Sequence, residues 1–409
     1  MTGKCKRSSF ESIPKKGSFC YYCDMDKSVR VGIIGLGNMG SAHARMIKEG
    51  KVPGLELAAI ADERSDVSKA FPDIRFFESG SYLIKSGEVE AVIVCTPHYS
   101  HTTYGIETLD AGLHLLVEKP ISVHKADCER LIEASKGKDV VFAAMFNQRT
   151  DPAYLKLKHL IESGELGEIE RVQWTITDWY RPDAYYASGG WRATWSGEGG
   201  GVLMNQCPHQ LDLWQWLFGM PETIWADCQI GRFHDIEVED SVTAVMKYAD
   251  GKRGVLITTT GEAPGTNRLE VACARGRVIL ENGKVEWLRN EVENREFLKT
   301  TKNLFGKPDT WKVEIPFPNT GEQHLGVLKN FAKAILDGEL LIAPAAEGMN
   351  SVELANAMLL SAAEGGEVSL PMDSSRYEAL LKSRIAASKP KARVEVRGSV
   401  DSDEFAKSF

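Results

Sequence analysis

Apolar and polar positions follow two different rhythms along the chain, and the change falls near Gln148. Before it, short continuous apolar runs alternate with helical stretches. VRVGIIG, from Val29, reads as a buried strand. SAHARMIKEG reads as a helix ended by Gly50, a residue suited to the left-handed C-terminal turn. LELAAIAD is the second strand, and VEAVIVCTP, LHLLVEKP and VVFAAMF are later ones. Strands that are apolar throughout, separated by helices of about 10–15 residues, predict βαβ units and a parallel sheet covered on both faces.

Beyond Gln148 the period shortens. AYLKLKHLIESGELG predicts an amphipathic helix closed by a glycine turn. EIERVQWTITDW alternates as a half-buried strand does. SVTAVMKYADGKRGVLITTT predicts two strands around Asp250-Gly251, and RLEVACARGRVILENGKVEWL two more around Asn282-Gly283. Both dipeptides suit the tight turn of a hairpin. EQHLGVLKNFAKAILDG and AAEGMNSVELANAMLLSAAEGG are late helices. The fold class is therefore an α/β Rossmann domain with a parallel, doubly wound sheet, plus an α+β domain with a large, mostly antiparallel open sheet. Residues 29–148 form the first and 149–388 the second, with the late helices able to pack back on the first. Residues 1–28 form an N-terminal extension, with Met25 an alternative start, and 389–409 a polar tail.

A length of 409 residues suits two domains. The 49 basic and 57 acidic residues leave a net charge of −8, which argues against a nucleic-acid partner. No apolar run approaches the roughly 20 residues of a membrane helix, and the first 27 residues lack the apolar core of a secretory signal. Eight scattered cysteines fit a reduced, cytoplasmic chain. Cys20 and Cys23 form a C-x-x-C pair with only Cys5 nearby and no histidine, short of the four ligands of a zinc site, so no metal is expected.

Three stretches carry chemistry. In GLGNMG, glycines 35, 37 and 40 have the spacing G-x-G-x-x-G between a strand and a helix, around Asn38 and Met39. Gly35 allows the tight turn, Gly37 lets a pyrophosphate approach the backbone, and Gly40 lets helix and strand pack closely. The helix N-terminus offers N–H groups to the phosphates. Asp62 closes the second strand, where a carboxylate binds both adenosine ribose hydroxyls and repels an added phosphate. NAD is therefore expected over NADP, with Arg64 the one feature favouring NADP.

The second stretch is Glu118-Lys119-Pro120, at the carboxyl end of a parallel strand, where such sheets bind ligands. A lysine there can steady negative charge on a substrate oxygen as hydride departs. The third is GEGGGVLMNQCPHQLDLWQWLFG. Pro208 is tolerated only in a first helical turn, so a helix starts near Cys207 with Asn205 in the preceding turn. His209 can take an alcohol proton, and Asp212, one turn on, can orient it or bind substrate. Leu211, Trp214 and Phe218 take the other, buried side. The candidate catalytic residues are Lys119, His209 and Asn205. Between the stretches runs a loop rich in Trp and Tyr (Trp174 to Trp195) whose rings suit the apolar faces of sugars. Arg149, Tyr180, Tyr186, Trp191, Arg192 and Asp212 are the candidate substrate contacts.

VGIIGLGNMGSAHA, VIVCTPHYSHTTYGIETLDAGLHLLVEKP, FNQRTDPAYLKLKHLIESGELGEI and GGGVLMNQCPHQLDLWQWLFGMP resemble, in order, the glucose–fructose oxidoreductase, inositol dehydrogenase and rhizopine catabolism family (Gfo/Idh/MocA) over residues 29–385. The resemblance implies an NAD(P)-dependent sugar oxidoreductase and a homo-oligomer, dimer or tetramer, made through the open sheet. It places Lys119 and His209 on the substrate alcohol. Thr96, Pro97, His98 and His101 fall beside the nicotinamide, with Glu118 also at the cofactor. Inositol dehydrogenase-like members carry Asp where this chain has Asn205, which cannot hold a negative charge. The expected activity is oxidation of a ring hydroxyl, C3 being one position, of a pyranose or glycoside. The alternative is a redox-neutral glycosidase or lyase that oxidises, eliminates and re-reduces on one tightly held NAD. A non-catalytic NAD-binding regulator is a third reading, and the presence of both Lys119 and His209 argues against it.

Overall fold

The computed structural model describes residues 27–318 and 321–389. Most of the N-terminal extension, Cys20 and Cys23 and the C-terminal tail lie outside the described residues. Six parallel strands form the first sheet, in the order β3-β2-β1-β4-β5-β6. They are β1 (Val29–Ile34), β2 (Leu55–Ala61), β3 (Arg75–Phe77), β4 (Ala91–Val94), β5 (His114–Val117) and β6 (Phe142–Ala144). Helices α1 (Asn38–Lys48), α2 (Gly80–Ile84), α3 (His98–Asp110) and α4 (Lys125–Ser135) connect them. The chain runs outward from β1 to β3, then crosses back to β4, which pairs with β1 from Val31↔Ala91 to Ile34↔Val94. That reversal opens a crevice beyond the carboxyl ends of β1 and β4, the usual ligand position in such sheets. β3 escapes the sequence pattern because it is three residues long and only partly buried.

Helices α5 (Pro152–Glu162), α6 (Asp183–Ala187) and α7 (Pro208–Phe218) frame the entry to the second sheet, with β7 (Ile169–Ile176) running between the first two. The sheet continues through β8 (Thr223–Ile230), β9 (Glu239–Lys247), β10 (Arg253–Thr259), β11 (Asn267–Cys273), β12 (Gly276–Glu281), β13 (Lys284–Asn290) and, after α8 (Asn294–Thr300), β14 (Thr310–Ile315). Helices α9 (Gln323–Asp337), α10 (Ala345–Glu364) and α11 (Ser374–Ala387) close the chain, with β15 (Val368–Ser369) before the last. The nine strands lie in the order β14-β13-β12-β11-β7-β10-β9-β8-β15, antiparallel except where β10 runs parallel to β7. Both expected hairpins form, and Asn282 and Gly283 take the positive φ values, 51° and 67°, that such a turn demands.

Two cores hold these layers. One face of the first sheet is covered by α1 and by α9, whose Val327, Leu328 and Phe331 pack in one cluster with Val31, Ile33 and Ile93. A late helix thus returns to the first domain. The other face merges with the core of the second domain through Ile121, Phe146 and the α10 residues Val352 and Leu354.

Helix α7 starts at Pro208 with Cys207 as its cap, as the proline required. Leu211, Trp214 and Phe218 are buried, and the Trp214 indole N–H donates to Tyr248 Oη at 2.7 Å. The opposite face is buried too, because Arg149, in the short helix that follows β6, reaches across to it. Its Nε and Nη2 donate to the two Asp212 oxygens at 2.7 and 2.6 Å, and its Nη1 to the Ile342 carbonyl at 3.1 Å and to Glu347. Arg149 and Asp212 are 1% and 0% exposed, so the pair is fully desolvated. Removing one partner of such a pair strands the other charge. Arg149→Ala is expected to cost about 3–5 kcal/mol, read as a lowered urea midpoint. The double change Arg149→Met with Asp212→Leu should recover most of that loss.

Candidate active site

The glycine turn sits between β1 and α1. Gly35 has φ +93°, and a Cβ on Gly40 would lie 1.9 Å from the Gly35 carbonyl oxygen, so neither position accepts a larger residue. Nothing lies within 4 Å of where a Gly37 Cβ would be, which leaves the backbone open to a ligand. Asn38 and Met39 begin α1, whose first N–H groups no side chain caps. Asp62 Oδ2 accepts the Leu36 N–H at 2.7 Å, and Oδ1 accepts Arg64 N–H and Nε at 2.9 and 3.1 Å. Burial works against the Asp62 charge, but the Arg64 bonds outweigh it and hold the carboxyl below its ordinary range. Arg64 is thus committed to Asp62 and to the Leu36 carbonyl, 3.3 Å from its Nη2. Across the crevice, the Thr96 Oγ1 is buried without a hydrogen-bond partner among the described residues. An uncapped helix end, an open Gly37, a ribose-height carboxylate and an unsatisfied hydroxyl fit NAD.

The loop after β4 is braced from within. His101 sets Nε2 2.7 Å from the Thr96 carbonyl and Nδ1 2.8 Å from the Pro120 carbonyl. It ties the loop to Lys119-Pro120. Pro97 caps α3. His98 Nδ1 lies 3.0 Å from the Glu198 carbonyl, and burial and the neighbouring His101 pull its pKa down to about 3. Glu118 is likewise turned inward: its Oε1 lies 2.8 Å from His43 Nε2. Burial alone would raise the Glu118 pKa, yet the His43 bond and nearby charges bring it down to about 2.

Lys119 Nζ donates to the Asn205 carbonyl at 3.2 Å. Burial lowers its pKa, and Glu118 and Glu198 oppose that fall. His209, 3% exposed, packs edge-on to Phe146 with ring centroids 6.1 Å apart. Neither of its ring nitrogens has a hydrogen-bond partner among the described residues. Burial, then the charge of Lys119, press its pKa well below the ordinary value. Asp212 does not orient this ring; it and Arg149 are spent on each other.

The aromatic loop divides. Trp174 and Trp195 are core residues, and Tyr186 is buried with its hydroxyl on Thr260 at 2.7 Å, so these do not form a stacking surface. Tyr180 is 51% exposed. Trp191 stands edge-on to His98 at 6.0 Å, and the Arg192 guanidinium covers the Trp191 and Tyr185 rings at 4.8 and 4.6 Å. Arg192 Nη1 also donates to Tyr185 Oη at 2.7 Å. Lys119, Asn205, His98, Trp191 and Arg192 are thus linked through short contacts, with His209 close enough to Lys119 to feel its charge. Sequence reasoning placed Tyr185 only among the loop's sugar-stacking rings, and missed His43 and Glu198. It also missed Glu239, whose Oε1 accepts the Gly201 and Leu203 N–H groups at 2.9 and 3.0 Å beneath the triple glycine, and whose pKa burial raises to about 7. A lone glutamate inside a glycine run was the one available signal for Glu198.

A glycine turn open to a nucleotide, with a lysine at the end of the same parallel sheet, is the arrangement of a dinucleotide-dependent oxidoreductase. A model of the oxidoreductase family with an NAD-binding Rossmann fold matches residues 29–146, and the GFO/IDH/MocA C-terminal domain matches residues 154–279. The chain belongs to the Gfo/Idh/MocA family of NAD(P)-dependent oxidoreductases. A myo-inositol 2-dehydrogenase of Thermotoga maritima is 29% identical over 272 residues, 62% of this chain and 75% of that one. The WlbA dehydrogenase of Bordetella pertussis, solved with NADH and UDP-GlcNAcA, is 25% identical, covers 85% of this chain and 100% of its own, and superposes with a TM-score of 0.72. A levoglucosan dehydrogenase solved with NADH and levoglucosan, 21% identical, shares the fold with a TM-score of 0.71 over 85% of this chain and 100% of that one. No helix among the described residues is long and apolar enough to cross a membrane.

Asp62→Ala should weaken NADH binding about tenfold and NADPH binding less, narrowing the preference; calorimetric titration of both cofactors reads this. Acid should also weaken the fold. His98 (about 3), His324 in the first turn of α9 (about 4) and His209 are all held below their ordinary value by burial, so the native state binds fewer protons than the unfolded chain. Stability is therefore lost as pH falls from about 6.5, by up to about 1.4 kcal/mol per pH unit for each group. Urea midpoints between pH 7 and 4 measure it, and His209→Gln should lessen the fall.

Proposed function

We propose that the protein oxidises a ring hydroxyl of a pyranose sugar or glycoside, with NAD as the acceptor. The reading rests on one observation above the rest: both His209 ring nitrogens lie buried and unpartnered among the described residues, next to Lys119. A buried polar atom without a partner is costly, and a substrate hydroxyl would satisfy it. Bound NAD supplies the hydride acceptor at its nicotinamide. Gly35, Gly37 and the start of α1 hold the pyrophosphate, and Asp62 the adenosine ribose. His209 accepts the hydroxyl hydrogen bond and takes the proton. Lys119 steadies the negative oxygen that forms. That negative charge offsets the repulsion by which Lys119 depresses His209, so the base strengthens as the reaction proceeds. Trp191 and Tyr180 offer ring faces to the sugar, and Arg192 and Arg181 its polar contacts. The C3 hydroxyl is our candidate for the reacting position.

Excess NAD with a panel of free sugars and glycosides tests this, following NADH and product mass together. A product two hydrogens lighter, formed with NADH, is the expected result. Released aglycone without net NADH would replace it with the redox-neutral glycosidase. Lys119→Ala and His209→Ala should each lower kcat by about a hundredfold or more with NADH affinity kept; wild-type turnover in either removes that residue from the mechanism.

A further inference from the structure

Lys119 is a half-buried cation at the end of β5. Its ammonium donates to the Asn205 backbone carbonyl at 3.2 Å. The Asn205 side chain is fixed in one orientation. Its Oδ1 accepts the Tyr185 hydroxyl at 3.4 Å, and its Nδ2 donates to Glu198 Oε1. The other Glu198 oxygen accepts the Ala193 N–H at 2.7 Å. Both carboxylate oxygens are therefore acceptors, the pattern of the ionised group, and Glu198 is only 2% exposed. Two carboxylates act on Lys119, Glu118 and Glu198. Glu118 is already bonded to His43. Arg192 and Arg181 add further positive charge at Lys119.

We propose that Glu198 is the positioning carboxylate for Lys119, with Asn205 as the neutral clamp between them. The inference rests on the reading of Lys119 given under Proposed function and adds a residue to it. The clamp explains why position 205 is an amide. An aspartate there would set a second carboxylate against Glu198 with no donor between them. Asparagine supplies the donor, and the negative charge stands one residue further out. Glu198 favours the charged form of the lysine, so that the ammonium is ready for the substrate oxygen. It also carries the His98 contact through its own carbonyl, which couples the loop after β4 to the same segment.

The test is the titration of Lys119 itself, followed by NMR in the NAD-bound, full-length protein with carbon-13 lysine, and assigned with Lys119→Arg. Glu198→Gln should lower the Lys119 pKa by about one unit or more. Adding Asn205→Asp to Glu198→Gln reverses donor and acceptor across the same bond and should restore the titration. Glu198→Asp, which keeps the charge, should move it less than Glu198→Gln. On an active sugar the single change should lower kcat about a hundredfold, leave KM for NAD in place, and be rescued by the double change. A Lys119 titration unmoved in Glu198→Gln, or a double variant no better than the single, overturns the proposal. If no sugar yields NADH, the function proposed above fails, while the lysine titration still decides the role of Glu198.

Discussion

The Arg149–Asp212 ion pair sits at the joint of the molecule. Arg149 follows the last strand of the first sheet, and Asp212 lies on the helix that carries His209. Two parallel, charge-assisted bonds at 2.6–2.7 Å between groups without solvent leave little freedom in angle or distance. Lys119 is fixed by the first sheet and His209 by α7, so the pair sets how these two meet. Such a bridge is poor evidence for stability by itself, because desolvating both ions cancels most of the attraction. On the function proposed above its value is geometric: Lys119 and His209 come from different elements, and catalysis tolerates little error in their spacing.

The site is correspondingly rich in groups held away from their ordinary charge states. Burial pushes Glu118, Asp62 and Lys119 toward neutrality, and each is held charged by partners: Glu118 by His43, Asp62 by Arg64, Lys119 by its acidic neighbours. His209 is the exception, with no such partner among the described residues. Perturbed groups gathered at the carboxyl edge of a parallel sheet are the pattern expected of a working centre rather than of packing.

Much of this could be read from the chain. The glycine turn, the strand before it and the helix after it obey local rules of backbone freedom, so their positions were legible. Pro208 dictated where α7 begins, and two dipeptides dictated two hairpins. What escaped depended on distance in space. Arg149 and Asp212 looked like polar residues near a site, and only the packing of α7 between layers shows that they face each other. Trp174, Tyr186 and Trp195 matched a sugar-binding composition, but strand alternation and a partner at Thr260 turn them inward. Glu198 lies in a glycine run that has no periodicity to read. β3 was too short to show an alternation at all.

The return of α9 to the first sheet has a consequence for how the chain comes to be folded. All six strands of that sheet have left the ribosome by Ala144, yet Val327, Leu328 and Phe331, which cover one of its faces, emerge only after the second domain is nearly complete. Until then Val31, Ile33 and Ile93 lack part of their cover. The first half of the protein is a nucleotide-binding fold by topology but not an independent one by packing. The order of synthesis leaves a nascent apolar surface to wait for a helix that follows the second sheet along the chain.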